Sequence, residues 1–171
     1  MIKTENRASQ ILDAIQKNPG IQFRDLMKQT GMKNGVLSHY INKIENGGMI
    51  QVERNPRQTK FFPLHLTGSD QKIISALRKD TQRKIILHLM SEGDTGIEFS
   101  TIPNAIGRSP STVSLYLSQL VDEQIVSIRL DNKRKKYFIS DRKSVDSLID
   151  KYNPGLVSRA ADSFADTFNS L

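Results

Sequence analysis

The chain has 171 residues, room for one medium domain or two small ones, and its 37% hydrophobic and 25% charged residues support packed cores and exclude a wholly disordered chain. A net charge of +7 and a pI near 9.7 point to a polyanionic partner, nucleic acid before an anionic membrane surface. The absence of cysteine excludes disulfides, thiolate metal sites and cysteine nucleophiles; no signal peptide is read in MIKTENRASQ and no stretch reaches the roughly 18 apolar residues of a membrane span, so a cytoplasmic protein with no membrane partner is expected.

In chain order, residues 7–17 carry Ile11, Leu12 and Ile15 at helical spacing, and Asn18-Pro19-Gly20 ends that helix. Ile21-Gln22-Phe23 is too short for a helix and reads as a small strand. Arg24 to Thr30 reads as a second helix stopped at Gly31, Met32 to Asn34 as a turn, and Leu37, Ile41 and Ile44 as the inner face of a third helix ending near Gly47-Gly48. Met49 to Glu53 and Lys60 to Leu64 read as strands joined by the polar stretch Arg54 to Thr59. Ser69 to Lys79 has the spacing of a linker helix. A helix follows Asp80, expected as its N-cap, and carries Ile85, Ile86 and Leu89. Ile97 to Phe99 is a short strand, and Thr101 to Ile106 a helix with Pro103 in its first turn. Ser109-Pro110 starts the helix carrying Val113, Leu117 and Leu120. A hairpin runs from Ile125 to Ile139 with Asp131-Asn132 at its tip. Val145 to Tyr152 reads as a helix, and Leu156 to Leu171 as a last one with Val157, Ala160, Phe164, Phe168 and Leu171 on one stripe.

One unit occurs twice, 76 positions apart: Ile21 falls on Ile97, Phe23 on Phe99, Gly31 on Gly107, Tyr40 on Tyr116, Ile50 on Val126 and Phe62 on Phe138, with no gap between residues 21 and 62. Each copy reads helix, short strand, helix, turn, helix, β-hairpin. The fold expected is mainly α with small β-hairpins (α+β): two winged helix-turn-helix domains plus C-terminal helices. Their ranges are 1–66, 67–141 with the linker helix, and 142–171.

The second unit resembles the winged helix-turn-helix domains of MarR-type and ArsR-type regulators. The likeness rests on Asp80-Thr81-Gln82-Arg83-Lys84-Ile85-Ile86-Leu87 and on the run from Ile106 through Arg108-Ser109-Pro110-Ser111-Thr112 to Leu117, and covers about residues 80–139. Residues 7–64 look like the same domain, and the pair is similar to tandem winged-helix regulators common in archaea. Metal sensors of the ArsR type often use cysteines, which this chain lacks; no metal site and no cofactor are expected.

In such a fold the third helix enters the major groove of duplex DNA. With Leu37, Ile41 and Ile44 inward, Lys33, Asn34, Ser38, His39, Asn42 and Lys43 fall on the outer face. In the second copy the outer set is Ser109, Ser111, Thr112, Leu115, Ser118 and Gln119. Amides and hydroxyls can read bases, and Leu115 can pack on a thymine methyl. The hairpins carry Arg54, Arg57 and Lys60, then Arg129, Lys133, Arg134, Lys135 and Lys136, candidates for phosphate or minor-groove contact. No phosphate loop, metal triad or nucleophile elbow is present, so no enzyme is expected. The expected partner is double-stranded DNA and the expected role transcription regulation. A sequence-indifferent architectural binder and an interaction module of a transcription or replication assembly stay open. The C-terminal stripe fits a homodimer interface or a helix folded back on its own chain. No small-molecule effector is indicated.

Overall fold

A computed structural model describes residues 2–152 and divides the chain into two compact units, Met1–Gln71 and Lys72–Leu171. The first holds α1 (Ile2–Lys17), β1 (Ile21–Gln22), α2 (Phe23–Thr30), α3 (Asn34–Asn46), β2 (Ile50–Asn55) and β3 (Gln58–Pro63); α4 (Gly68–Leu77) spans the division. The second holds α5 (Asp80–Ser91), β4 (Ile97–Glu98), α6 (Ile102–Ile106), α7 (Pro110–Asp122), β5 (Val126–Asp131), β6 (Arg134–Ile139) and α8 (142–152). The expected last helix, Leu156 to Leu171, lies outside the described residues, as does its apolar stripe.

Each unit closes on a three-stranded antiparallel sheet, ordered β1-β3-β2 and β4-β6-β5. Ile21 pairs with Phe61 and Ile97 with Tyr137; Ile50 pairs with Pro63 and Val126 with Ile139. Every pairing of the first sheet thus recurs 76 positions on. Period-2 alternation turns Ile50 and Phe61 to one face of their strands, against the helices. The core of the first unit joins them to Ile11, Ile15, Leu26, Leu37, Ile41 and Ile44. Ile85, Ile86, Leu89, Ile102, Val113, Leu117 and Leu120 are buried in the second. Each such aliphatic side chain contributes about 1.5–3 kcal/mol when fully withdrawn from water, which fixes the rotation of α3 and α7 about their axes.

The helix ends follow local chemistry. Gly31 and Gly107 end α2 and α6 at φ +68 and +66, the left-handed conformation of a helix C-cap. Ser109 caps α7, its Oγ accepting from the Thr112 N–H at 3.3 Å, with Pro110 just inside the helix. Asp141 caps α8 by accepting from the Ser144 N–H at 3.1 Å. Arg142 then donates to the carbonyls of Leu89, Met90 and Gly93, satisfying orphan acceptors at the end of α5.

Several elements differ from the sequence reading. The N-cap of α5 is Lys79; Asp80 is the first helical residue and its carboxylate is drawn into ion pairs instead. A 3-10 turn over Phe99–Thr101 precedes α6, which is five residues long. The first hairpin is tighter than expected, and the tip of the second is shifted. The first turns on Pro56 and Arg57, with Asn55 Oδ1 accepting from the N–H groups of Arg57 and Gln58 at 3.1 and 3.0 Å. The second turns on Asn132 and Lys133, at φ +49 and +67. Two positive φ values are the geometry of a two-residue hairpin turn matched to strand twist, so the tip lies one residue beyond Asp131-Asn132.

Candidate nucleic-acid interface

Packing leaves the outer face of α3 to polar groups. Lys33, Asn34, His39, Asn42 and Lys43 are exposed. Ser38 is half-buried and donates to Asn34 Oδ1 at 3.1 Å, which engages that side-chain oxygen within the helix. His39 rests edge-on against the Tyr40 ring, centroids 5.4 Å apart, while Tyr40 itself is buried. His39, Asn42 and Lys43 are neighbours at i, i+3 and i+4 and present imidazole, amide and ammonium as one polar row.

The outer face of α7 is chemically different. Ser109 Oγ shares hydrogen bonds with the hydroxyls of Ser111 and Thr112, at 3.2 and 2.8 Å. Leu115 is 57% exposed at the position of His39, and Ser118 is exposed at that of Asn42. Gln119, expected on the outer face, is half-buried: its Oε1 accepts from Nε2 of the fully buried Gln82 on α5 at 2.9 Å. Among the described residues the Gln82 Oε1 has no hydrogen-bond partner. A buried amide that lacks one partner costs free energy unless another group comes to it. Ser114, exposed beside Leu115, stands outside the predicted outer-face set although it is the counterpart of Ser38.

On the first wing, Arg54 donates from both terminal nitrogens to the two oxygens of Glu45 on α3, one contact at 2.7 Å. The hydrogen bond from Arg54 holds the Glu45 carboxyl below its usual range and raises the guanidinium. Arg57 is exposed at the turn. Lys60, expected among the tip cations, is only 8% exposed, because β3 is the central strand and Lys60 lies between Gln22 and Glu53, its Nζ 3.7 Å from the Glu53 carboxylate.

The second wing is richer in charge. Arg129 lies over the Phe138 ring at 4.6 Å. Arg134 reaches Glu98 at 3.2 Å, and the half-buried Lys136 reaches Asp131 at 2.7 Å. Lys133 and Lys135 are exposed, and among the described residues no carboxylate pairs with either.

Three further cations were missed. Arg24 and Lys28 are exposed on α2 at i, i+4, a spacing visible in the sequence. Arg108 is exposed in the turn before α7 and donates to Asp80 Oδ2 at 2.7 Å. Asp80 also meets Arg83 at 3.0 Å and Lys84 at 3.3 Å. Desolvation pushes the Asp80 carboxyl up, but Lys84, Arg83 and Arg108 together outweigh it and hold the group below its ordinary value. Among the described residues no group of three or more His, Asp or Glu side chains is placed to hold a metal, and no helix is long and apolar enough to cross a membrane.

A helix-turn-helix buttressed by a β-hairpin wing is the winged-helix fold, and this chain has it. Residues 7–51 match a family described as winged helix-turn-helix DNA-binding. No curated protein matches the chain. Solved structures are similar at low identity. MepR, a transcription regulator of the Staphylococcus aureus multidrug efflux pump MepA, is 19% identical over 60% of this chain and 83% of its own, at a TM-score of 0.39. The homodimeric winged helix-turn-helix DNA-binding domain of Mb0332 from Mycobacterium bovis, a possible ArsR-family transcriptional regulator, is 18% identical over 61% of this chain and 94% of its own, at 0.40. A MepR variant bound to an oligodeoxyribonucleotide is 18% identical over 60% and 86%, at 0.38.

Proposed function

We propose that this chain is a transcription regulator that binds double-stranded DNA through two winged helix-turn-helix domains in tandem. In this reading α3 and α7 enter the major groove, and the wings lie on phosphates or in the minor groove. The observation that carries it is the exposed row His39, Asn42 and Lys43 on α3, the helix that a winged fold offers to the groove. Asn42 supplies an amide able to pair with adenine, and Lys43 a phosphate or guanine contact. Arg57, Lys133 and Lys135 supply exposed charge with no acidic partner among the described residues.

A salt series tests it directly. With six to eight phosphates neutralised, the logarithm of affinity for duplex falls against the logarithm of salt at a slope of roughly −5 to −7. A slope near zero, or no binding at low salt, removes DNA as the partner and puts the interaction-module reading in front.

One observation favours a second reading for part of the chain. The outer face of α7 carries hydroxyls and Leu115, with Gln119 turned toward Gln82. Such a face suits sequence-tolerant contact, so the second domain acts as an architectural anchor beside a reading first domain. A homodimer built on the C-terminal segment from residue 142 belongs to the same proposal; sedimentation of the chain with and without residues 156–171 tests it.

A further inference from the structure

Leu130, on the second wing, is 74% exposed, and Ile128, two residues earlier on the same face of β5, is 42% exposed. That face begins in the core at Val126, 2% exposed, so an apolar row runs from the interior out along the wing. Lys135 pairs opposite Leu130, Lys133 is exposed in the turn beside it, and Arg134 opens β6, where it reaches Glu98. The first unit is built otherwise at this place. Arg54 stands 76 positions before Leu130 and Glu45 76 before Val121, and those two form the two-pronged ion pair between wing and α3. In the second unit both members are apolar. An acid is lost from beside the wing, and an apolar projection is left among cations.

We infer that Leu130 is an apolar wedge that enters the minor groove of duplex DNA, with Lys133 and Lys135 on the flanking phosphates. The inference rests on the DNA-binding reading above. Charge complementarity selects the occupant. A second copy of the wing would set like charges face to face. A duplex offers phosphates to the cations and base steps to the leucine, and aliphatic wedges in the minor groove unstack such steps and bend the helix by roughly 20–90°.

The test uses the full chain and a duplex of about 30 base pairs with a fluorophore at each end, reporting affinity and bend together. Leu130→Ala is expected to bind roughly tenfold more weakly, with an unchanged salt slope and a smaller bend. Lys135→Ala should shallow the slope by about one and keep the bend. The exposure of Leu130 predicts an unchanged melting temperature for its alanine variant, which serves as the folding control. Wild-type affinity and bend in Leu130→Ala overturn the inference while leaving DNA binding intact. No duplex binding by the wild type overturns the DNA reading and this inference together. Leu130-dependent binding to phosphatidylserine vesicles without any DNA bend, or a Leu130-dependent change in oligomeric mass, overturns it in favour of a membrane or a second copy.

Discussion

In the first unit the exposed cations Arg24 and Lys28 stand on α2, Lys33 just before α3 and Lys43 on α3, while on the wing Arg54 and Lys60 face carboxylates and Arg57 is exposed at the turn. The equivalent positions of the second unit are the uncharged Ser100, Asn104, Ser109 and Gln119; Arg108 is exposed before α7, and the wing exposes Arg129, Lys133, Arg134 and Lys135. Core positions hold their type across the two units, Leu37 with Val113 and Ile44 with Leu120, while the basic surface moves from helix to hairpin. The difference teaches that this fold fixes its interior by packing and leaves open which element carries charge. On the proposed function, the first domain holds and reads DNA with its helices and the second holds it with its wing.

The largest expected effect is on folding. Gly96 has φ +71, and a Cβ there would stand 2.4 Å from the Phe138 ring. Gly96→Ala should therefore destabilise the second unit by about 3 kcal/mol, from the positive-φ, extended-ψ backbone that only glycine adopts readily and from the displaced ring. Denaturant unfolding reads this, and a loss under about 1 kcal/mol would remove the close approach from the account.

Base reading comes next. Asn42→Ala should reduce discrimination between preferred and random duplex by about 1–2 kcal/mol, whereas Ser118→Ala, at the equivalent position of α7, should leave the ratio unchanged. Equal losses from both would abolish the division between a reading and an anchoring domain. Removing Arg24 and Lys28 together should shallow the salt slope by about two, as should removing Lys133 and Lys135; changing Ser100 and Asn104 to alanine should do nothing.

A smaller effect concerns Gln82. Replacing it with leucine removes the unpartnered buried Oε1 and should stabilise the second unit by about 1 kcal/mol, measured as a raised melting temperature. A lowered one would show that the Gln82–Gln119 hydrogen bond outweighs the unpaired oxygen. The smallest effects follow pH. Asp80 and Glu45 both titrate below their ordinary values in the folded chain. Their contribution to stability is therefore complete above the unfolded pKa and is lost as pH falls through the folded one. Asp80→Asn should flatten the acid limb of the stability profile; an unchanged limb would mean that the three cations around Asp80 add no net stabilisation.

What the sequence made legible follows from periodicity and caps. Leu37, Ile41 and Ile44 share one helical face in any phase that buries them, and Ser109-Pro110 is a helix start with its own chemistry. What it hid was decided by neighbours distant in the chain. Lys60 reads as a tip cation because charge in a hairpin usually is, yet β1 pairs along β3 and covers it. Gln119 reads as a surface residue, since nothing local says that it will meet Gln82, 37 positions away. The first hairpin loop reads too long and the second tip one residue early because polar strand ends and polar turns look alike in one dimension; in the second, the positive φ of Asn132 and Lys133 separates them.

The most direct test of the central claim is the ratio of affinities for DNA upstream of the chain's own gene and for random duplex of equal length, by fluorescence anisotropy at physiological salt. A site-specific regulator predicts a ratio of roughly a thousandfold or more for a site that contains its operator. A ratio near one across tiled upstream duplexes, with steep salt sensitivity on all of them, would contradict it and make the protein an architectural DNA binder.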